Sequence, residues 1–332
     1  MAGMVIRKAS RQKAFLKLGI ASPSGGGKTM GALLIAYGLM KEKYPALSVK
    51  ERWAKIVIID SENGSGELYV GTHVNHANIT IGEYAALSLD APYAPERYTQ
   101  AIKLAHDNEF EVVIIDSMTH MWTGVGGALD KQGREASRTG NSWTAWRKVT
   151  PEINTLIDAI LQTPIHVIAT MRSKTQHAQE KNSAGKTVIK KLGTNPIIRE
   201  GMEYEFTIFF EINIDHETFC SKDRTNIFDG RYFKITPDIG KEAMQWLEKG
   251  TDDVGEEIAR AKSVLNVDDE IQSLRVKSID LAKELGGQKS ESLMALIGKY
   301  TDSGNPNKIK NVEDLKALVA GQEKLKQEKE NK

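Results

Sequence analysis

The sequence predicts an α/β fold: a mostly parallel central sheet, an antiparallel extension on one edge, and a small C-terminal helical module. Three observations predict it. Short apolar, β-branched runs recur at Ile56-Val57-Ile58-Ile59, Val112-Val113-Ile114-Ile115 and Ile165-His166-Val167-Ile168. Each ends near a polar residue (Asp60, Asp116, Thr170), with helix-patterned segments, Pro95 to Asn108 and Trp143 to Leu161, between them. Continuous apolar strands alternating with helices indicate a parallel sheet covered on both faces, with functional groups at the strands' carboxyl ends. After Pro196 the pattern changes to short strands, and beyond Gly250 to helical spacing.

The first strand is the alternating run Phe15 to Ile20. Ser22-Pro23-Ser24-Gly25-Gly26-Gly27-Lys28-Thr29 follows it and opens a helix-patterned run, Met30 to Lys43. Strand, glycine-rich turn and helix make Gly-Lys-Thr a phosphate-binding loop. The glycines let several N–H groups point at one anion, and the helix N-terminus adds its dipole. Ser24, Gly25, Gly26, Gly27 and Met30 form the cradle; Lys28 holds the β- and γ-phosphates of ATP, and the Thr29 hydroxyl sits on Mg²⁺. Such loops usually begin with glycine. Ser22 occupies that position and can serve if its φ stays negative.

Asp116, at the end of its strand, is expected to hold the same Mg²⁺ through water. An apolar run ending in Asp, downstream of a phosphate loop, is a far stronger signal than either alone. Asp60-Ser61-Glu62 ends the neighbouring strand and brings Glu62 beside the γ-phosphate, where a carboxylate can orient or deprotonate the attacking water. Here the chain resembles the RecA-type P-loop NTPase core, in which a strand ends in Asp-x-Glu and a Tyr follows seven residues on. The resemblance implies that Glu62 is the catalytic base and that Tyr69 stacks on adenine; the alternative for Tyr69 is core packing. It also implies a γ-phosphate sensor at Thr170, where the family usually has Gln, and a pair, Lys222 and Arg224, that reaches a neighbouring subunit's ATP site. Ile114 to Trp122, Ala169 to Thr175 and Glu203 to Phe206 look like a narrower group, phage RecA-like ATPases regarded as single-strand annealing or recombinase proteins. The likeness covers roughly residues 15 to 240.

Two long segments interrupt the core where RecA proteins carry DNA-binding loops. Trp122 to Asn141 is glycine-rich and contains Lys131, Arg134 and Arg138. Arg172 to Arg199 contains Arg172, Lys174, Lys181, Lys186, Lys190, Lys191 and Arg199 against one acid, Glu180. On a chain of net charge +1, such concentration suits phosphate contacts with single-stranded DNA. Trp122 is the one expected base-stacking platform; Trp143 and Trp146 are expected to pack into the core.

Near-neutral charge excludes a globally basic nucleic-acid binder. A single cysteine, Cys220, excludes an intramolecular disulfide and suits a reducing cytoplasm, the host's if the protein is viral. No apolar run approaches the roughly 18 residues that span a bilayer. His120 and His166 read as core or strand-end residues. The domains read as a core over 1–249 and a helical module over 250–332, whose 14 basic and 16 acidic residues argue against a primary DNA role. The module either binds a protein partner or packs with no separate function, and its tail, Gln322 to Lys332, is expected to fray. The expected activity is that of an ATPase self-associating into a filament or ring on DNA. The alternatives are a ring-helicase motor and an ATP-bound, non-hydrolysing scaffold.

Overall fold

The computed structural model describes residues 11–181, 187–250, 270–287, 290–301, 303–309 and 311–330, with the backbone alone at 175–181, 187–193 and 330. The chain folds into two compact units, Met1–Val254 and Gly255–Lys332.

In the first unit, β1 (Lys17–Ser22) leads through the glycine-rich loop into α1 (Lys28–Lys43), then α2 (Val49–Trp53) and β2 (Ile56–Asp60). A small hairpin, β3 (His73–Val74) with β4 (Ile79–Thr80), precedes β5 (Ala85–Ser88), α3 (Pro95–Asp107) and β6 (Val112–Asp116). Three helices follow, α4 (Met118–Thr123), α5 (Ala128–Thr139) and α6 (Ser142–Gln162), then the long strand β7 (His166–Lys181) and β8 (Thr187–Pro196). β9 (Ile208–Ile212), β10 (Thr218–Asp223), β11 (Tyr232–Phe233) and α7 (Pro237–Leu247) complete the unit.

Strands β5-β2-β6-β7-β1-β9, in that spatial order, pair parallel. β10 and β11 extend the β9 edge antiparallel. The fold is therefore the α/β arrangement expected of a P-loop NTPase. Residues of β1, β2 and β6 are buried throughout, which is why they read as unbroken apolar runs. One face packs on α1 and α7 through Leu18, Ile20, Ile58, Ile114, Leu34 and Met244. The other packs on α3 and α6 through Val57, Ile59, Ile115, Tyr98, Ile153 and Leu156.

Several expectations are corrected. Trp122 to Asn141 is mostly helix. α5 runs between Gly126 and Gly140, both at positive φ, and carries Asp130–Arg134 and Glu135–Arg138 pairs at 2.8 and 2.9 Å, the spacings that stabilise a helix surface. Arg172 to Arg199 is built on the antiparallel β7–β8 pair. Trp122 stacks on Trp146 with ring centroids 5.8 Å apart, whereas Trp143, just inside the N-terminus of α6, is 84% exposed. The strand β5 and helix α7 have no counterpart in the sequence reading.

The second unit contains a helix over 270–284 (α8), α9 (Glu291–Gly298) and α10 (Val312–Glu330). They enclose Leu285, Leu293, Ile297, Leu315 and Leu318. The supposedly fraying tail is helical to Glu330; Gln322 is buried and donates to the Ser278 carbonyl at 3.1 Å. Beyond the boundary read between 249 and 250, residues 251–269 lie outside the described residues. No helix among the described residues is long and apolar enough to cross a membrane.

Candidate nucleotide site

The loop between β1 and α1 turns on Gly25 (φ 83°) and Gly27 (φ 90°), a left-handed conformation that a Cβ disfavours. The Gly26 N–H donates to the Pro23 carbonyl at 3.1 Å. Ser22 ends β1 and is not among the residues with positive φ, so the loop asks no glycine conformation of it. Its hydroxyl donates to the Pro23 carbonyl at 2.7 Å and fills the space beside Gly26, where a Cβ would lie 2.6 Å from it.

Lys28 and Thr29 stand on the first turn of α1, both buried. The Thr29 hydroxyl donates to Asp116 Oδ2 at 2.6 Å, and the Thr170 hydroxyl donates to the other oxygen, Oδ1. Phosphate loop, Asp116 and Thr170 are thus joined across three adjacent strands. Burial pushes the Asp116 carboxyl above its usual range, against the hydroxyl hydrogen bonds of Thr170 and Thr29 and the Lys28 charge.

Glu62 follows β2. The Asp60 carboxylate organises the turn, accepting the Glu62 N–H at 2.5 Å and the Gly66 N–H at 2.9 Å. This is an Asx-type turn and explains why a strand end carries Asp two residues before Glu. Glu62 accepts from Arg172 Nε at 3.0 Å, pairs with its Nη2 at 3.0 Å, and accepts from Ser117 Oγ at 3.1 Å. Burial raises the Glu62 carboxyl, but the Arg172 hydrogen bond, the Lys28 and Arg172 charges and the Ser117 hydroxyl together hold it below its usual value. Ser61 lies behind Glu62, its hydroxyl 3.0 Å from His120 Nδ1. His166 is buried and accepts the Leu16 N–H at 3.0 Å.

A cavity of about 370 Å³ opens against Gly25 to Gly31 and is walled by Leu34, Tyr69, Ile212 and Ile235. The expected contact residue Tyr69 lines it, its phenol raised by burial and by the Asp116 and Glu62 charges. His76, His216, Thr218 and Lys234 also line it, and sequence reasoning missed all four. The Asn213 carboxamide oxygen accepts the Asp215 and Glu217 N–H groups, each at 2.9 Å. That turn carries His216 (φ 64°) to the Gly26 carbonyl, 3.1 Å from its Nδ1. Asn-Ile-Asp-His signals a turn, but nothing local signals that it lands on the phosphate loop.

Lys222 and Arg224 lie at the end of β10. Both side chains bond the Tyr204 carbonyl, Arg224 at 3.4 Å, rather than the phosphate loop of their own chain. Burial and the Arg224 charge lower the Lys222 ammonium. Of the expected nucleic-acid contacts, Arg172 is held by Glu62, Lys174 is exposed, and Arg199 donates to Asn154 Oδ1 at 3.0 Å. Lys186, and the side chains of Lys181, Lys190 and Lys191, lie outside the described residues. In α5, Lys131 is bound by Glu96 and Glu152, and Arg134 and Arg138 by Asp130 and Glu135. Among the described residues no group of three or more His, Cys, Asp or Glu side chains could hold a metal.

A comparison with curated proteins found no match. Residues 14–261, about three quarters of the chain, match the family described as an AAA domain. The matched span contains the phosphate loop, Glu62, Asp116 and the cavity walls. The chain belongs to this family of nucleotide-binding P-loop ATPases.

Proposed function

We propose that the protein is a RecA-like, Mg²⁺-dependent ATPase that acts on DNA in recombination, by single-strand annealing or strand exchange. The observation that carries the reading is the continuity of β7. One strand runs from Thr170, bonded to Asp116, through Arg172, bonded to Glu62, into the basic β7–β8 segment. An anion bound on that segment therefore acts on the same strand that touches both carboxylates of the site.

The donor set fits Mg²⁺. Thr29 and Asp116 converge at 2.6 Å, and burial leaves the Asp116 carboxylate in want of a cation. Mg²⁺ takes few protein ligands and completes its shell with phosphates and water. Thr29 and, through water, Asp116 would hold it, and it would neutralise charge on the β- and γ-phosphates. Lys28 binds the same phosphates, and Glu62 orients the attacking water.

Lys222 and Arg224, which bond the Tyr204 carbonyl in the single chain, would turn to a neighbouring subunit's ATP site in a filament or ring. The exposed Trp143 beside Arg147 on α6 adds a stacking surface that a basic face on single strands would use. An ATPase and annealing assay with purified protein tests the reading. Single-stranded DNA should stimulate hydrolysis, and annealing or exchange should proceed without processive unwinding. Indifference to DNA removes the recombination role; processive unwinding transfers the protein to the ring-helicase class. Normal turnover by folded Lys28→Ala protein removes the ATPase site itself.

A further inference from the structure

The glycine-rich loop is held from outside by one side chain. In a run of three glycines no Cβ resists rotation, so the Gly26–Gly27 peptide can turn over at little cost. The helix does not fix it: the ladder of α1 begins one residue later, where the Gly31 N–H donates to the Gly27 carbonyl at 2.8 Å. Among the described residues, the group that meets the Gly26 carbonyl is His216, whose Nδ1 lies 3.1 Å from the oxygen. A carbonyl only accepts, so Nδ1 carries the proton in this contact.

The turn that bears His216 is built for this reach. His216 stands at φ 64°, a region where a side chain costs energy and which, beside a site, points to a task. Its N–H donates to the Asn213 carbonyl at 3.2 Å, and the Asn213 N–H donates to the Glu217 carbonyl at 2.9 Å, which closes the β9–β10 hairpin around it. The turn lies directly on the loop. A Cβ on Gly26 would be 3.2 Å from the Asn213 carbonyl oxygen, and one on Gly27 would be 3.2 Å from His216 Nδ1. Glycine at 216 would relieve the strain but could not reach the loop.

We propose that His216 is a positioning residue of the phosphate loop: it holds the Gly26 carbonyl outward and so turns the Gly27 N–H into the phosphate cradle. In a trans peptide the carbonyl and the N–H point in opposite directions, and the Gly26–Gly27 bond is trans. With the carbonyl fixed on the His216 side, the Gly27 N–H points away from it. That N–H has no acceptor among the described residues and is left for an anion, the use to which such loops put it. The inference rests on the nucleotide reading above and adds to it a residue that acts through the backbone of the loop.

Calorimetric titration of the full chain with ATP and, separately, with inorganic tripolyphosphate, both with Mg²⁺, tests the proposal. His216→Ala should weaken both ligands to the same extent, about 3- to 10-fold, the worth of one neutral hydrogen bond. His216→Gly should match it, because glycine accepts the positive φ freely and loses only the donor. His216→Asn places an N–H near the position of Nδ1 and tolerates the same backbone, so it should restore both affinities to within about 2-fold of wild type. Glycine thus controls for the backbone of the turn, and asparagine for the hydrogen bond. Unchanged affinities in His216→Ala and His216→Gly overturn the proposal, as does a His216→Asn protein that binds no better than His216→Gly. A loss confined to ATP also overturns it, since His216 would then meet the nucleoside rather than shape the loop. Wild-type protein that binds neither ligand overturns the nucleotide reading and this inference with it.

Discussion

Glu62 shows how far a single residue's role depends on its partners. As a lone strand-end carboxylate it would titrate in the usual range. Beside Arg172 it is held ionised, its carboxyl lowered because the guanidinium, Lys28 and Ser117 outweigh the opposing effect of burial. The pairing therefore stabilises the fold above the ordinary carboxylate range, and that contribution is lost as pH falls through the lowered value. Glu62→Gln should retain ATP binding and slow hydrolysis roughly 10²–10⁴-fold, the range for a positioned acid-base group; single-turnover kinetics beside a binding titration separate the two. In Arg172→Ala the acid limb of the pH–rate profile should move to higher pH, because burial is then less opposed. A profile that keeps its position would mean that Arg172 does not tune Glu62. Lys28, Thr29, Asp116 and Glu62 were legible because their signals are local: a loop between strand and helix, and acids at apolar strand ends. His76, His216, Thr218 and Lys234 were not, since they share only a cavity wall assembled from distant parts of the chain. Trp143 was misread because helical spacing suggests a buried face but does not say which residue of the first turn overhangs solvent.

Among the elements, α1 and α7 depend on a pair of glycines. A Cβ on Gly38 would lie 1.9 Å from the Pro237 carbonyl oxygen, and one on Gly240 would lie 2.1 Å from the Ile35 carbonyl oxygen. These obstacles are backbone, so neither can rotate away. Alanine gains at most about 1 kcal/mol over glycine in helix propensity, against roughly 1–3 kcal/mol for overpacking, and the clash wins. Gly240→Ala should therefore lower the melting temperature, and because α1 begins with Lys28 and Thr29, it should also weaken nucleotide binding. A variant that melts like wild type would mean that the two helices separate without cost. The buried strands β2 and β6 were legible because both faces are covered. β5 was not, since its four residues alternate between half-buried and exposed at the sheet edge. α5 and the β7–β8 pair read as loops because glycine and charge mask their period. In α5 the helix is held by side-chain pairs, and β8 pairs only with β7, off the main strand order.

At the scale of the molecule, the cations at the site of one chain, among the described residues, are Lys28, Arg172 and, on the cavity wall, Lys234. Lys28 and Arg172 are near the carboxylates, but Arg172 is committed to Glu62, and Lys222 and Arg224 face Tyr204. In the assembly proposed above, Arg224 serves the phosphate loop of the adjoining chain. The guanidinium is exposed and 3.4 Å from the Tyr204 carbonyl, so Arg224→Ala should change monomer stability by no more than about 0.5 kcal/mol, as surface substitutions do. Activity should fall by up to about 10³-fold if the residue acts as an arginine finger, and only under conditions in which wild-type protein assembles. Mixing distinguishes this from a local defect. Arg224→Ala keeps its own phosphate loop, and Lys28→Ala keeps its own guanidinium. When the two meet in one assembly, some interfaces combine an intact Lys28 with an intact Arg224. Hydrolysis should then rise above that of either variant alone and peak near equal mixing. If mixed assemblies form, by light scattering or cross-linking, and hydrolysis stays at the sum of the two inactive parts, the site is contained within one chain. Arg224 would then be only a basic residue at the end of β10.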